Sequence, residues 1–319
     1  MSLLSGLVAG LAAAALAGHP VFSFSDPTID ESSGLVDLGS LMVTTNDSGG
    51  DPLVFVIDPR TGATVGRTTF TSEVTDVEAL APTGAGSGDK SVWVGDIGDN
   101  KAVRTSVQVY EVPVGRGDRA VRATAYDLVY PDGPRDAESL VVGRDGRLRI
   151  ISKGLFGGRV YVAPKKLNPD RPNRLVPGPQ VSIFATDAAL FPDGKHVLVR
   201  GYGNALISTF PGFRTVARVE LPVQEQGEGV SISPSGQIRL SSEGARSAVL
   251  QITLPRDVRA KLAPAAVVAG PRTPGTGDTG VLDSSASGLS WPWVLGGGAA
   301  VLGAVVLGAR ALALQRRRR

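Results

Sequence analysis

The sequence of 319 residues carries 33 lysine and arginine against 30 aspartate and glutamate side chains, and it contains no cysteine. The missing cysteine excludes disulfides, thiolate metal sites and cysteine nucleophiles. The two histidines, His19 and His196, are too few for a histidine metal cluster and do not favour a serine triad. Outside Arg310 and residues 316–319 the chain has a slight acidic excess, so a basic nucleic-acid-binding face is not indicated.

The N-terminal segment is apolar and rich in alanine. Residues 3–17 carry no charge, and Ala15 and Ala17 place small residues at the −3 and −1 positions of a cleavage site after Ala17. This pattern predicts a signal peptide over residues 1–18, although the usual basic residue near the start is missing. A buried helix is the alternative interpretation. Residues 19–262 then provide enough chain for one large all-β domain.

Five segments within residues 19–262 share one repeating pattern. Each begins with acidic or small residues, continues through a small residue and an aliphatic anchor, and then gives a turn and two apolar strands. The anchors lie 45, 60, 50 and 40 residues apart, and they are Leu35, Leu80, Leu140, Leu190 and Val230. The blades of a β-propeller, with four antiparallel strands each, repeat at about this period. Because no helical period separates the strands, an α/β fold is not favoured.

The fifth repeat lacks a fourth strand, and a lone strand at residues 21–24 precedes the first repeat. We therefore predict an all-β fold, a five-bladed β-propeller that closes when the N-terminal strand pairs with residues 248–254. Such closure removes the open sheet edge. Six blades are the alternative.

The C-terminal region predicts a membrane anchor. Residues 263–290 are rich in Pro, Gly, Ser and Thr, which is typical of a flexible stalk. Residues 291–309 carry no charge and would span about 28 Å as a helix. We place the transmembrane helix at 291–314 and an arginine tail at 315–319. Trp291 and Trp293 lie at one boundary of the uncharged span, and the arginines lie at the other. We therefore expect a single-pass cell-membrane protein with its arginine tail in the cytoplasm and its propeller outside the cell.

The repeat alignment predicts an acidic channel mouth. In a propeller, the starts of the inner strands and the ends of the second strands lie at one end of the central channel. Carboxylates gathered there repel one another unless a cation or a basic group is present, and oxygen ligands suit Ca²⁺. The predicted metal ligands are Glu78, Glu138, Glu228, Asp96 and Asp99. The predicted ligand-binding residues are Asp47, Asp76, Asp136, Lys153, Arg200 and Glu243. The alternative is that these side chains serve turns and bind main-chain amides between blades.

Three phrases carry a resemblance to a known group of proteins. They are Asn-Asp-Ser-Gly-Gly at 46–50, Gly-Asp-Ile-Gly-Asp-Asn at 95–100 and Asp-Ala-Glu-Ser-Leu at 136–140. They resemble phrases of secreted bacterial β-propellers, some of which are grouped loosely with phytase-like esterase propellers. That resemblance implies calcium-dependent hydrolysis of phosphate esters at an acidic mouth. The chain departs from phytase-like propellers in its five predicted blades and in lacking a dense basic phosphate cleft.

Two functions fit these patterns. The first is a non-catalytic module that binds an extracellular ligand or protein through the acidic mouth. The second is a calcium-dependent phosphoesterase or another metal-dependent hydrolase. The sequence leaves enzymatic activity open, because no nucleophile elbow or complete phosphate-binding glycine motif occurs in it.

Overall fold

The fold is described from a computed structural model that covers residues 14–47, 51–84 and 91–262. The predicted stalk, transmembrane helix and arginine tail lie outside the described residues, as do residues 1–13 of the predicted signal peptide. Within the ranges given, no helix is both long enough and apolar enough to cross a bilayer.

The strands form five sheets, which are the blades of the propeller. The first strand of the chain, β1, covers Gly18–Ser23 and belongs to the fifth blade. The first blade contains β2 Ser32–Asp37, β3 Met42–Asn46, β4 Leu53–Ile57 and β5 Thr64–Phe70. The second contains β6 Val77–Pro82, β7 Ser91–Asp96, β8 Val107–Pro113 and, after the short strand β9 Arg119–Val121, β10 Ala125–Val129.

The remaining blades repeat this arrangement. The third contains β11 Ala137–Val142, β12 Leu148–Ser152, β13 Gly158–Val162 and, after the short strand β14 Asn173–Arg174, β15 Val176–Val181. The fourth contains β16 Asp187–Leu190, β17 His196–Arg200, β18 Asn204–Thr209 and β19 Thr215–Glu220. The fifth contains β20 Gly227–Ile232, β21 Ile238–Ser242, β22 Ala248–Ile252 and β1, and helix α1 follows at Arg256–Leu262.

The predicted five-bladed propeller is confirmed for the described residues, and the alternative of six blades is not found there. Within each blade the four main strands pair in antiparallel order. Two short strands were not predicted. They extend the outer edges of the first two blades, where β9 pairs in parallel with β5 and β14 pairs in parallel with β10.

The N-terminal strand closes the ring as predicted. β1 pairs antiparallel with β22, from Gly18 opposite Ile252 to Ser23 opposite Ala248. The pairing starts at Gly18, three residues before the predicted strand. Phe24, which follows β1, is completely buried in an apolar cluster that joins the fifth blade to the first. Closure therefore combines main-chain hydrogen bonds with burial of an aromatic side chain.

The inner strands β2, β6, β11, β16 and β20 approach one another closely along the channel. A Cβ added to Gly34 would lie 2.5 Å from the main-chain nitrogen of Leu80, so the first two blades require glycine at that position. The five aliphatic anchors line one narrow cavity of about 50 Å³ in the apolar part of the channel. The channel thus has an apolar part below its mouth.

Removing the aromatic side chain at the closure should weaken the whole ring. We expect Phe24→Ala to lower the free energy of unfolding by about 3–5 kcal/mol, because it deletes a buried phenyl group and leaves a cavity. The matched control is Val223→Ala, since Val223 is 95 % exposed and such changes stay within about 0.5 kcal/mol. Chemical denaturation of both variants measures the difference, and equal stability of the two would contradict this closure.

Candidate functional site at the channel mouth

The glutamates of the mouth sit at irregular positions of the inner strands. In blades two, three and five, the pairing between the first and second strands shifts register near the start of the inner strand. Glu78, Glu138 and Glu228 occupy these positions and are completely buried. A β-bulge breaks the regular alternation of side chains between the two faces of a sheet. At these positions it directs the glutamate side chain toward the channel and not between the packed sheets.

Three carboxylates from three blades meet at this end of the channel. Asp47 follows β3 in the first blade, while Glu78 and Glu228 start the inner strands of the second and fifth blades. One oxygen from each lies within 4.8 Å of the others, and Asp47 is only 7 % exposed. We call these three residues the mouth carboxylate group. Their spacing and oxygen chemistry suit a hard divalent cation.

Glu78 shows the electrostatic strain of this group most clearly. Ser33 Oγ donates to the main-chain oxygen of Glu78 at 2.7 Å and lies 3.4 Å from Oε2. Oε1 is buried and has no hydrogen-bond partner among the described residues. Burial, together with the charges of Glu138 and Asp47, raises the pKa of Glu78 well above its usual range. The protein therefore favours a proton or a cation at this carboxylate.

Glu138 pairs with Lys153 and does not join the mouth carboxylate group. Lys153 Nζ also lies 3.3 Å from the Tyr202 hydroxyl and 5.0 Å from the centre of the Phe184 ring. Burial lowers the pKa of the Lys153 ammonium, but attraction to Glu138 outweighs it and the pKa is raised overall. Glu138, predicted to bind a metal ion, and Lys153, predicted to contact a bound ligand, thus form one buried ion pair beside aromatic rings.

Glu243 extends the acidic mouth on the side of the fifth blade. Gln226 Nε2 donates to Glu228 Oε1 at 3.1 Å and also to Glu243, so one amide bridges the two carboxyl groups. Burial, together with the charges of Glu228 and Asp47, raises the pKa of Glu243 to about 8. This predicted ligand-binding residue therefore lies next to the mouth carboxylate group.

Asp96 and Asp99, predicted as metal ligands, hold the loop beside the mouth. Asp96 Oδ1 accepts hydrogen bonds from the Asp76 amide at 2.9 Å and from Arg104 Nη1 at 2.7 Å. Asp99 accepts from the amides of Val103 and Arg104 at 3.0 and 2.8 Å. These contacts match the alternative of turn and amide binding, and neither residue belongs to the mouth carboxylate group.

Two predicted ligand-binding aspartates lie at the same loops. Asp136 Oδ1 accepts a hydrogen bond from the Asp99 amide at 2.9 Å, which links the second and third blades. Asp76 packs on Gly98, where an added Cβ would lie 2.4 Å from its Oδ2. Both side chains are half-buried at the rim of the mouth.

Arg200, predicted to contact a ligand, is completely buried between blades four and five. Its Nη1 donates to the main-chain oxygens of Gly229 and Ser241 at 2.5 and 2.9 Å, and Nη2 donates to Gln224 at 2.6 Å. Burial lowers the pKa of the guanidinium to about 10. The guanidinium is thus engaged by groups of the fifth blade and of the loop before it, and Arg200 is not part of the mouth carboxylate group.

Sequence reasoning missed Asp187, which takes the corresponding place in the fourth blade. Its carboxylate accepts hydrogen bonds from the amides of Ala188 and Val230, both at 2.7 Å. Asp187 stands three residues before the anchor Leu190, whereas each mouth glutamate stands two residues before its anchor. The difference arises because β16 pairs with β17 without a register shift. An acidic residue near the start of the fourth repeat was the available signal.

The fold and the site define a five-bladed β-propeller with an acidic channel mouth. No protein-family model matches the sequence, and no curated protein matches it. Among solved structures, the chain is similar to a luciferin-regenerating enzyme, with 12 % identity, coverage of 71 % of this chain and 78 % of that chain, and a TM-score of 0.41.

The raised pKa of Glu243 predicts a pH-dependent stability. The carboxyl has a pKa of about 8 in the folded chain against 4.5 ordinarily, so the folded state holds its proton more tightly than the unfolded state does. In the presence of a chelator we expect the melting temperature to fall as the pH rises from about 5 to about 8. Glu243→Gln should flatten this slope, and the exposed control Glu225→Gln should not. A slope that is unchanged in Glu243→Gln would contradict the assignment.

Proposed function

We propose that this chain is an extracytoplasmic binding propeller, tethered to the cell membrane by its C-terminal segment, that uses a cation at its channel mouth. The observation that carries the proposal is the convergence of Asp47, Glu78 and Glu228 from three blades. Ca²⁺ is the proposed ion, because it accepts several carboxylate oxygens in flexible geometry. An ion there would hold the ends of these blades together and offer its remaining positions to a ligand.

Exposed apolar side chains around the mouth support a role in binding another molecule. Four of the five large apolar side chains that are exposed in the described residues lie in loops at this end. Leu155 and Phe156 form the tip of the loop between β12 and β13 and are 69 % and 96 % exposed. Val223, between β19 and β20, is 95 % exposed. Exposed apolar groups beside a polar centre are typical of surfaces that bind proteins or other ligands.

The cation can be tested by thermal unfolding with calcium and with a chelator. An ion that binds only the folded state adds about 2.7 kcal/mol of stability at a concentration one hundred times its dissociation constant. We expect Glu78→Gln and Glu228→Gln each to remove most of this gain. Glu225→Gln is the matched control, and Glu138→Gln should retain the calcium response because Glu138 lies outside the mouth carboxylate group.

Elemental analysis of the purified protein gives an independent measurement. If calcium neither stabilises the wild-type protein nor is found in it, the mouth carboxylate group is a structural feature held by protons. If Glu138→Gln and Glu78→Gln lose the response equally, the ion is held by a different set of carboxylates.

Hydrolysis of a phosphate ester is the second candidate, and Lys153 is the observation that favours it. Lys153 brings a positive charge into the mouth, where it could hold a phosphate oxygen next to the ion, although it is paired with Glu138. Calcium-dependent release of nitrophenol from p-nitrophenyl phosphate that disappears in Glu78→Gln would establish this activity in place of simple binding. Absence of turnover, with the calcium response intact, favours the binding role.

The proposed location rests on the two apolar ends of the sequence and on the terminal arginines. We expect protease added to intact cells to remove the propeller and to leave a small membrane-bound C-terminal fragment. The reason is that the positive-inside rule places residues 316–319 in the cytoplasm. Immunoblots with an antibody against the propeller and with a C-terminal epitope tag measure the outcome, with a cytoplasmic protein as the control for cell integrity. A fully protected propeller in such cells would overturn the proposed topology.

A further inference from the structure

The end of the propeller opposite the mouth is strongly basic. The turns between the first and second strands and between the third and fourth strands lie at this end, and so does helix α1. In blades three and four these turns carry the exposed side chains of Arg144, Arg147, Lys195 and Arg214. Helix α1 adds three more basic side chains, Arg256, Arg259 and Lys261, beside one exposed carboxylate, Asp257. We call the seven basic residues the basic face.

The basic face is continuous across three blades. Arg144 Nη2 donates to the main-chain oxygen of Pro192 at 2.6 Å, which connects the turns of blades three and four. The main-chain oxygen of Lys195 accepts a hydrogen bond from the amide of Phe210 at 2.6 Å, which connects the two turns of blade four. Phe191 of blade four and Arg259 of α1 line the same cavity of about 420 Å³ beside blade five. The positive charges therefore form one surface.

Two of the acidic residues at this end are engaged by other basic groups. Asp145 pairs with Arg149 at 2.7 Å, and Asp193 pairs with His196 Nδ1 at 2.6 Å. Within the described ranges, the four turn residues of the basic face take part in no ion pair. Their charges remain available to a partner that carries several negative groups.

We infer that the basic face lies on a bilayer that contains anionic phospholipids. Each Lys or Arg close to an anionic bilayer contributes on the order of 1 kcal/mol, and a broad array of charges fits a plane of phosphate headgroups. The described chain ends at Leu262 of α1, on this face, and the sequence that follows contains the uncharged stretch of residues 291–309. A bilayer is favoured over a nucleic acid because the chain leaves this surface through the predicted stalk of residues 263–290 and reaches a predicted membrane span. The inference rests on the proposed membrane tether and does not depend on calcium at the mouth.

Site-specific labels on the full-length protein can test the orientation. Ser235→Cys lies at the basic face, since Ser235 lines the cavity beside Arg259, whereas Ala245→Cys lies in an exposed mouth loop between β21 and β22. Because the chain has no native cysteine, each variant takes a fluorophore at one position. The protein is reconstituted into vesicles of phosphatidylcholine, with or without phosphatidylglycerol, that carry a headgroup-linked quencher.

We expect quenching of the label at residue 235, but not at residue 245, in vesicles with phosphatidylglycerol. Neutral vesicles and added salt should both remove it. Glutamine at 144, 147, 195 and 214 should weaken the surface contact about fivefold for each charge removed. The control removes two exposed charges of the mouth, Lys101→Gln and Arg246→Gln, and should retain the quenching. If the fourfold variant does not fold, the salt titration of the wild-type protein measures the same electrostatic contact.

Two results would overturn the inference. One is quenching that is equal at the two labels or independent of lipid charge and salt. The other is retention of double-stranded DNA by the basic face together with no preference for anionic vesicles, which would identify a nucleic acid as the partner.

Discussion

The pairing of β1 with β22 is the contact on which the geometry of the mouth depends. A ring of blades fixes the distances between inner strands only when its first and last sheets are joined. Here the join brings the fifth blade against the first, and with it Glu228 toward Asp47. Residues separated by most of the chain thus share one site because of a strand at the N-terminus. Burial of Phe24 makes this join costly to open.

Closure also brings buried carboxylates close together, where they repel one another, and the blades stabilise these groups in different ways. The fourth blade satisfies the Asp187 carboxylate with main-chain amides, and the third pairs Glu138 with Lys153. In the second blade, Glu78 receives a single long contact from Ser33, and its other oxygen is buried without a partner among the described residues. A cation at the mouth would satisfy this carboxylate with the least rearrangement, which is why the proposed function centres on Glu78.

The repeat in the sequence predicted the blades because spacing and apolar alternation are local properties of the chain. It also placed Glu78 and Glu228 correctly at the channel end, since each stands at a fixed distance from an aliphatic anchor. The repeat could not distinguish these two glutamates from Glu138, which forms an ion pair with Lys153. Lys153 is in turn held against the rings of Phe184 and Tyr202, which come later in the chain. Asp187 was not predicted, because the fourth blade lacks the register shift that the glutamate-bearing blades have. An alignment of repeats assumes that all blades share the same irregularities, and only the strand pairing of the structure reveals that the fourth blade differs.

The net charge of this domain does not reveal how its charges are arranged. Outside the C-terminal arginines the chain has a slight acidic excess, although negative charges gather at the mouth and positive charges at the basic face, at opposite ends of the blades. Strands of five or six residues separate these ends by about 17–20 Å, whereas the Debye length is about 8 Å at physiological ionic strength. A charge exposed at the mouth is therefore largely screened from the exposed side chains of the basic face. The two ends can act independently, so that one surface orients the domain while the other remains open to solvent and ligand.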